Sequence, residues 1–189
     1  MNEFKFHKNI EGLAMAQSPL IDKVFPLLDQ PELIIEIGTW KGGFPVFLRS
    51  IFPDAVIHTF DIANIGNKQA KSKAFKKNKI KAHIENCFES QTCENLVRAK
   101  RRKILFCDGG NKLNEFNYFA PMLNKGDVIC MHDFAPDLKY FKDNIEWKFW
   151  NTSFEADEVR ISNYVKPMIH RHQHFDKFLE VVWGLYVKR

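Results

Sequence analysis

The chain has 189 residues, a formal net charge of +5, 45% hydrophobic residues and 27% charged residues. This is the size of an ordinary single domain and the composition of a globular protein, which excludes a disordered, collagen-like or coiled-coil chain. The first residues, MNEFKFHK, precede no signal-like apolar stretch, and no apolar run reaches the roughly 20 residues that span a bilayer. We therefore expect one cytoplasmic domain, residues 1–189, with no membrane partner.

Apolar runs alternate with helical stretches from about residue 20 onward. The runs predict five strands: Leu33–Ile37, Ala55–Asp61, Ile80–Glu85, Ile104–Asp108 and Asp127–His132. The stretches between them predict four helices: Phe44–Phe52, Lys68–Lys77, Gln91–Lys100 and Leu113–Leu123. Strand and helix alternating with short connections predict an α/β fold, a doubly wound, mostly parallel sheet with helices on both faces.

The last third of the chain is less regular. Leu138–Trp150 is predicted to be helical, and Leu179–Val187 is predicted to be a closing strand. His170, His172 and His174 would share one face of an extended segment. Such a group can bind a metal, but it is more often an exposed polar strip.

Acidic residues and a histidine stand where the predicted strands end. In parallel sheets, ligands bind beyond the carboxyl ends of the strands. Glu36 begins the loop after the first strand, Asp61 ends the second, Asp108 ends the fourth and His132-Asp133 closes the fifth. This convergence is the main functional clue in the sequence.

The loop Glu36–Gly43 (EIGTWKGG) differs from a nicotinamide-binding fingerprint, because Glu36 stands where the first glycine would be. A carboxylate repels a pyrophosphate but can pair with an ammonium group. Asp61 suits a ribose diol, so the pair favours S-adenosylmethionine over NAD. The alternatives are that Glu36 caps a helix or pairs with a lysine, and that Asp61 serves the turn before Asn64 and Gly66.

The same loop resembles motif I of the class I S-adenosylmethionine-dependent methyltransferases. It is similar, more narrowly, to the cephalosporin hydroxylase and rhamnosyl O-methyltransferase group and to related small O-methyltransferases. The lead-in Gly12–Pro19 is similar to that group's approach segment, and Ile104–Phe134 resembles its strand-DG-helix-PxLxxGG-strand-HD block. The resemblance covers roughly residues 12–135.

The resemblance implies a Rossmann-like methyltransferase that transfers a methyl group from S-adenosylmethionine to a small hydroxylated acceptor. It divides the chain into a lead-in (1–30), a cofactor-binding core (31–135) and a substrate-side region (136–189). The implied cofactor contacts are Glu36, Gly38, Thr39 and Gly43 for the methionine end, Asp61 for the ribose, Asn86 and Cys87 for the adenine, and Asp108 for the reacting methyl group.

In metal-dependent members of the group, the positions of Asp108, His132 and Asp133 hold a divalent cation. Mg²⁺ prefers oxygen ligands, so His132 would suit Mn²⁺ or Fe²⁺ better, or would act as a base. Alternatively, His132 is a strand-end histidine and Asp133 a cap. The group's DGxH histidine is replaced by Asn111, which is followed by Lys112. The base therefore stays open between His132, Lys112, a metal-bound hydroxyl and none, and a cofactor-binding protein without catalysis is an alternative.

The positive charge is concentrated between Lys68 and Lys103, where 12 Lys or Arg residues face 3 Glu residues. Such a segment can bind nucleic acid, which makes a nucleic-acid methyltransferase or binder the second alternative. Lysine outnumbers arginine by 21 to 7, although base readout and bidentate phosphate recognition favour arginine. We therefore interpret the segment as a solvated surface. No feature of the sequence indicates an oligomeric state.

Overall fold

The computed structural model describes residues 8–15, 17–18, 20–146, 154 and 156–189. Its strands are β1 (Lys8–Ile10), β2 (Leu13–Met15), β3 (Leu33–Ile37), β4 (Val56–Asp61), β5 (Ile80–Ile84), β6 (Lys103–Cys107), β7 (Val128–His132), β8 (Phe134–Ala135), β9 (Ala156–Asp157), β10 (Ile169–Arg171) and β11 (Trp183–Lys188). Its α-helices are α1 (Ile21–Val24), α2 (Gly43–Ile51), α3 (Lys68–Lys77), α4 (Gln91–Arg98), α5 (Lys112–Phe119), α6 (Leu138–Asn144) and α7 (Phe175–Leu179).

Seven strands form one sheet in the order β10-β11-β7-β6-β3-β4-β5. The five strands from β7 to β5 run parallel, and β11 inserts antiparallel between β7 and β10. Every residue of β3 and β6 is buried, as expected for the continuous apolar runs of strands covered on both faces. The predicted α/β fold with a mostly parallel sheet is confirmed.

Four helices begin at a side chain that accepts a backbone N–H three residues later. This capping satisfies one of the amide groups that the first helical turn leaves without a partner. The capping residues are Asn67 for α3, Ser90 for α4, Asn111 for α5 and Asp137 for α6. Each cap starts its helix within a few residues of the end of the preceding strand. The loops that follow the carboxyl ends of the strands are therefore short.

The predicted closing strand Leu179–Val187 is wrong at its start. The chain is helical over Phe175–Leu179 and turns at Val182, whose φ of 66° lies in the left-handed region, before β11 begins at Trp183. The apolar run LEVVW is compatible with a buried helix end or with a buried strand, and periodicity alone cannot separate the two.

The helix predicted over Leu138–Trp150 is shorter, because α6 ends at Asn144, and residues 147–150 lie outside the described part of the chain. The three histidines would share one face only if their segment were extended throughout. His170 lies on β10, but the N–H of His174 donates to Nδ1 of His172, so the chain turns there. His174 is therefore outside the strand, and its ring lies 5.3 Å from that of His172.

Aromatic packing joins the lead-in to the C-terminal strand. The ring of Phe25 lies 5.1–5.8 Å, centroid to centroid, from five other aromatic rings: Phe44, Phe47, Phe106, Phe178 and Trp183. Such pairs add roughly 0.5–1.5 kcal/mol each beyond their buried area.

Among the described residues, no helix is long and apolar enough to cross a membrane.

A buried ion pair holds the amino ends of two central strands, at the edge opposite the strand-end loops. Nζ of Lys103 donates to Asp127, and both side chains are almost completely buried. Asp127 also accepts the backbone N–H groups of Lys103 and Asn124. Removing one partner of such a pair leaves an uncompensated buried charge, so this pair has a structural role.

Candidate functional site

The predicted site residues lie where the sequence places them, at the carboxyl ends of the parallel strands. The loop after β3 touches the turn after β6, since a Cβ on Gly38 would lie 2.2 Å from the carbonyl oxygen of Asp108. Gly38 also has a φ of +102°, in a region that L side chains rarely adopt. Glycine at this position therefore permits the contact between the two loops.

Glu36, at the end of β3, carries a buried acceptor that lacks a donor. Its Oε2 accepts the hydroxyl of Thr59, which in turn receives the hydroxyl of Thr39. Its Oε1 has no hydrogen-bond partner among the residues that the structure describes. Burial, and secondarily the charges of Asp108 and Asp61, raise the pKa of Glu36 well above its ordinary value. The carboxyl group is thus held by a threonine pair and has one oxygen left for a donor.

Asp61 shapes the loop that follows β3. Its Oδ2 accepts the backbone N–H of Trp40 at 2.8 Å, and its Oδ1 accepts that of Ala63 at 3.1 Å. The second bond is the turn role weighed as the alternative for Asp61. Each carboxylate oxygen keeps a second lone pair, and the side chain is partly exposed. A turn role and a ligand role are therefore compatible here.

Apolar side chains are exposed beside Asp61, at the ends of β4 and β5. Ile62 is 78% exposed, Ile84 is 51% exposed and Phe88 is 36% exposed. Of the two positions predicted to contact adenine, Asn86 accepts the N–H of Phe88, and Cys87 is buried, which raises the pKa of its thiol to about 12. The exposed apolar surface can cover a flat ring. Sequence reasoning missed Ile62 and Phe88, although a large apolar residue in a strand-end loop is a usable signal.

Asp108 and His132 form a hydrogen-bonded pair between the ends of β6 and β7. Nδ1 of His132 lies 2.9 Å from Oδ1 of Asp108, and Nε2 of Gln17 donates to Oδ2 of Asp108 at 3.2 Å. The indole N–H of Trp183 donates to Oε1 of Gln17, and its ring stacks on His132 at 4.7 Å. Sequence reasoning missed these roles of Gln17 and Trp183, because both depend on distant chain segments meeting.

The pairing with Asp108 assigns the proton of His132 to Nδ1, because a carboxylate can only accept. Nε2 is then the basic atom of the ring. Burial alone would lower the pKa of His132, but the carboxylates of Asp133 and Asp108 outweigh burial and raise the pKa. The nearer oxygen of Asp133 lies 3.7 Å from Nδ1.

Lys112 places a cation inside this group. Its Nζ lies 3.1 Å from Oδ2 of Asp133 and donates to the carbonyl oxygen of Gly109 at 3.1 Å. The side chain is almost entirely buried. The preceding residue, Asn111, uses its side chain as the cap of α5 and accepts the N–H of Asn114. The position of the group's histidine is therefore occupied by a helix cap.

Asp108, His132 and Asp133 lie together as predicted, but their arrangement does not fit a divalent cation. Both oxygens of Asp108 already accept hydrogen bonds, and the ammonium group of Lys112 neutralises Asp133. Across the described ranges, no group of three or more His, Cys, Asp or Glu side chains could hold a metal ion.

Glu115 holds the turn between Asp108 and Asn111 through hydrogen bonds to its backbone. Its two oxygens accept the backbone N–H groups of Gly109 and Asn111. Burial raises the pKa of Glu115 to about 7. Sequence reasoning missed this residue, because a capping-box glutamate stands three residues after the cap and Glu115 stands four residues after Asn111.

The basic segment Lys68–Lys103 does not form a uniform charged strip. Lys71 and Lys103 are buried, and Nζ of Lys71 donates to the carbonyl oxygens of Trp40 and Ile65. Lys77 pairs with Glu11. Some of the positive charge is thus used inside the fold, which does not favour a nucleic-acid surface.

Neither a family model nor a curated protein sequence matches this chain. Solved structures do match it. One is described as the CmcI-N160 apo-structure; the match has 15% identity and a TM-score of 0.64, and covers 96% of this chain and 76% of the other. Another is an O-methyltransferase family protein from Burkholderia thailandensis, with 10% identity, a TM-score of 0.56 and coverage of 90% and 55%. The chain therefore shares the fold of these two structures. It spans about half the length of the Burkholderia protein.

Proposed function

We propose that the protein is an S-adenosylmethionine-dependent methyltransferase that methylates a hydroxyl group of a small-molecule acceptor. The observation that carries the proposal is the buried Oε1 of Glu36, which lacks a partner in the described part of the chain and lies at the end of β3 in an O-methyltransferase fold. A buried acceptor without a donor is costly, at roughly 1–3 kcal/mol. A ligand ammonium group would donate a hydrogen bond to Oε1 and would place a positive charge beside the carboxylate of Glu36.

The methionine end of the cofactor would lie along the loop Glu36–Gly43. Gly38 lets this loop approach the turn at Asp108, and the hydroxyl of Thr39 orients Glu36 through Thr59. Gly43 begins α2, where a Cβ would lie 2.5 Å from the carbonyl oxygen of Ala14 on β2. The hairpin of β1 and β2 thus covers the start of this helix.

The nucleoside end of the cofactor would lie across β4 and β5. Asp61 retains lone pairs for the two hydroxyl groups of a ribose, and Ile62 and Phe88 expose apolar surface for a purine. Asn86 and Cys87 follow β5 at the same edge. The end of β4 therefore offers a carboxylate for the ribose, and Ile62 together with Phe88 after β5 offers apolar surface for the base.

At the reacting end, S-adenosylmethionine supplies a methyl group bonded to a positively charged sulfur. His132 would accept the hydroxyl proton of the acceptor at Nε2, while Asp108 holds Nδ1 and stabilises the positive charge of the ring. The acceptor oxygen freed of its proton would then bond to the methyl carbon, and the electron pair of the carbon–sulfur bond would stay on sulfur. The stacked ring of Trp183 and the carboxylate of Asp108 fix the orientation of His132.

Calorimetric titration with S-adenosylmethionine and S-adenosylhomocysteine tests the proposal. We expect both to bind, and we expect Asp61→Ala to weaken binding about 5- to 150-fold, the equivalent of about 1–3 kcal/mol in lost hydrogen bonds. Asp54→Ala, an exposed aspartate in the turn before β4, is the matched control and should bind like the wild type. Absence of binding at millimolar ligand would exclude the function. Turnover with a panel of hydroxylated acceptors separates an enzyme from a binding protein without catalysis.

A further inference from the structure

The charges between the ends of β6 and β7 are already balanced by side chains. Asp108 and Asp133 carry the negative charges, and His132 and Lys112 face them at 2.9 Å and 3.1 Å respectively. A divalent cation needs an uncompensated set of deprotonated ligands. Here it would meet a lysine ammonium group of like charge and a histidine nitrogen that carries a proton.

The position of Lys112 is fixed by the local fold. It is the first residue of α5, directly after the cap Asn111, and its buried side chain turns back so that Nζ reaches the carbonyl oxygen of Gly109. The ammonium group thereby spans the turn after β6 and Asp133 after β7. These are the two strand ends at which a divalent cation would be held.

With Lys112 in place, the atoms between the ends of β6 and β7 are largely engaged. Oδ1 and Oδ2 of Asp108 accept from His132 and Gln17, and Oδ2 of Asp133 pairs with Lys112. What remains is Nε2 of His132, the second lone pairs of these oxygens and Oδ1 of Asp133, and this last oxygen lies 3.7 Å from a protonated nitrogen. A divalent cation held by these atoms would lie beside the ammonium group of Lys112, which already pairs with Asp133 and would repel it.

We propose that the ammonium group of Lys112 takes the place of a divalent cation, so that this site works without a metal. Lys112 neutralises Asp133 and offsets the negative charge that develops on the acceptor oxygen as its proton leaves. The inference rests on the proposed function for this second role. In this role Lys112 is a cation supplied by the chain itself, rather than the base.

The test measures Mn²⁺ binding. If Lys112 only stabilised the fold, its removal would not create a binding site for Mn²⁺. Titration of Mn²⁺ into the full-length protein is followed by the loss of the electron paramagnetic resonance signal of the free ion, for the wild type and for Lys112→Met, Lys112→Arg and Lys68→Met. Lys68 is the matched control, because it is the exposed first residue of α3. We expect Lys112→Met to bind one Mn²⁺ at least about tenfold more tightly than the other three proteins. If Lys112→Met does not fold, Lys112→Gln replaces it.

Two results would overturn the inference. One is a wild-type protein that binds one Mn²⁺ at micromolar concentration and loses it in Asp133→Asn. The other is a Lys112→Met protein, folded by circular dichroism, that binds Mn²⁺ no better than the wild type. Titration of the same samples with S-adenosylhomocysteine reports separately on the proposed function. A failure there, together with the expected Mn²⁺ pattern, would refute the methyl transfer and leave the charge replacement intact.

Discussion

At the scale of single residues, Gly38 controls how closely the loop after β3 approaches the turn after β6. Its φ of +102° and the 2.2 Å contact that a Cβ would make with the backbone of Asp108 are two separate penalties. The first costs roughly 1–2 kcal/mol for an L residue. The second cannot be relieved by a side-chain movement, because the contact is with backbone.

We expect Gly38→Ala to lower the free energy of unfolding by about 3 kcal/mol or more, measured by urea denaturation. Gly126→Ala is the matched control, because Gly126 has a φ of +86° but open space around it. This variant should lose only the backbone penalty of about 1–2 kcal/mol. Equal losses in the two variants would show that the contact with Asp108 does not constrain Gly38.

At the scale of elements, the β4–β5 pair contains two stacked histidines, and burial lowers the pKa of both. Nδ1 of His58 lies 2.9 Å from Nε2 of His83, and the rings are nearly parallel. Burial, followed by the charges of His83, Lys81 and Arg101, lowers the pKa of His58 to about 4. The unfolded chain therefore binds a proton between pH 6.5 and 4 that the folded protein rejects.

We expect His58 to make the protein less stable as the pH falls. The free energy of unfolding that depends on a neutral His58 is fully present above pH 6.5 and decreases toward pH 4. Between pH 7.5 and pH 5 it falls by about 2 kcal/mol. Burial raises the pKa values of Glu36 and Glu115, so these two groups make the protein more stable as the pH falls. The pH dependence of the wild type alone therefore contains opposing contributions. The measurement is thus the difference in unfolding free energy between the wild type and His58→Leu at the two pH values. A difference that does not change with pH would contradict the expectation.

The elements also show how far the sequence could predict the fold. The five parallel strands were predicted to within a residue or so at each end, because β3 and β6 are buried runs between clear turn residues. The strands β1, β2, β8, β9 and β10 have only two or three residues each, too short for any periodicity. The start of β11 was misplaced because its boundary depends on a backbone turn at Val182, which the apolar pattern does not encode.

The candidate site was predictable to the extent that strand ends converge in every parallel sheet. Asp108, His132 and Asp133 were therefore expected to meet, and they do. Their hydrogen-bond partners were not expected, because residues 17, 108 and 183 come together only through the complete fold. The pairing of Lys112 with Asp133 and with the carbonyl oxygen of Gly109 is likewise visible only in three dimensions, and the sequence left Lys112 open as a base.

At the scale of the whole molecule, Gln17 joins the two ends of the chain to the site. It accepts from Trp183, 166 residues away, and donates to Asp108, 91 residues away. Trp183 is fully buried, so its N–H has no access to water if Gln17 is removed. The lead-in and the last strand therefore stabilise Asp108, and through it His132, as one unit.

We expect Gln17→Leu to lower the free energy of unfolding by about 1–3 kcal/mol, because the buried N–H of Trp183 loses its acceptor. Gln30→Leu is the control, since the side chain of Gln30 makes an exposed contact, at 3.4 Å, with the carbonyl oxygen of Ile51. Trp183→Phe keeps an aromatic ring but removes the N–H, so Gln17→Leu should cost less in that background. A double-mutant cycle should give a coupling energy of about 1 kcal/mol. A coupling energy of zero would mean that the two ends of the chain stabilise the site independently of each other.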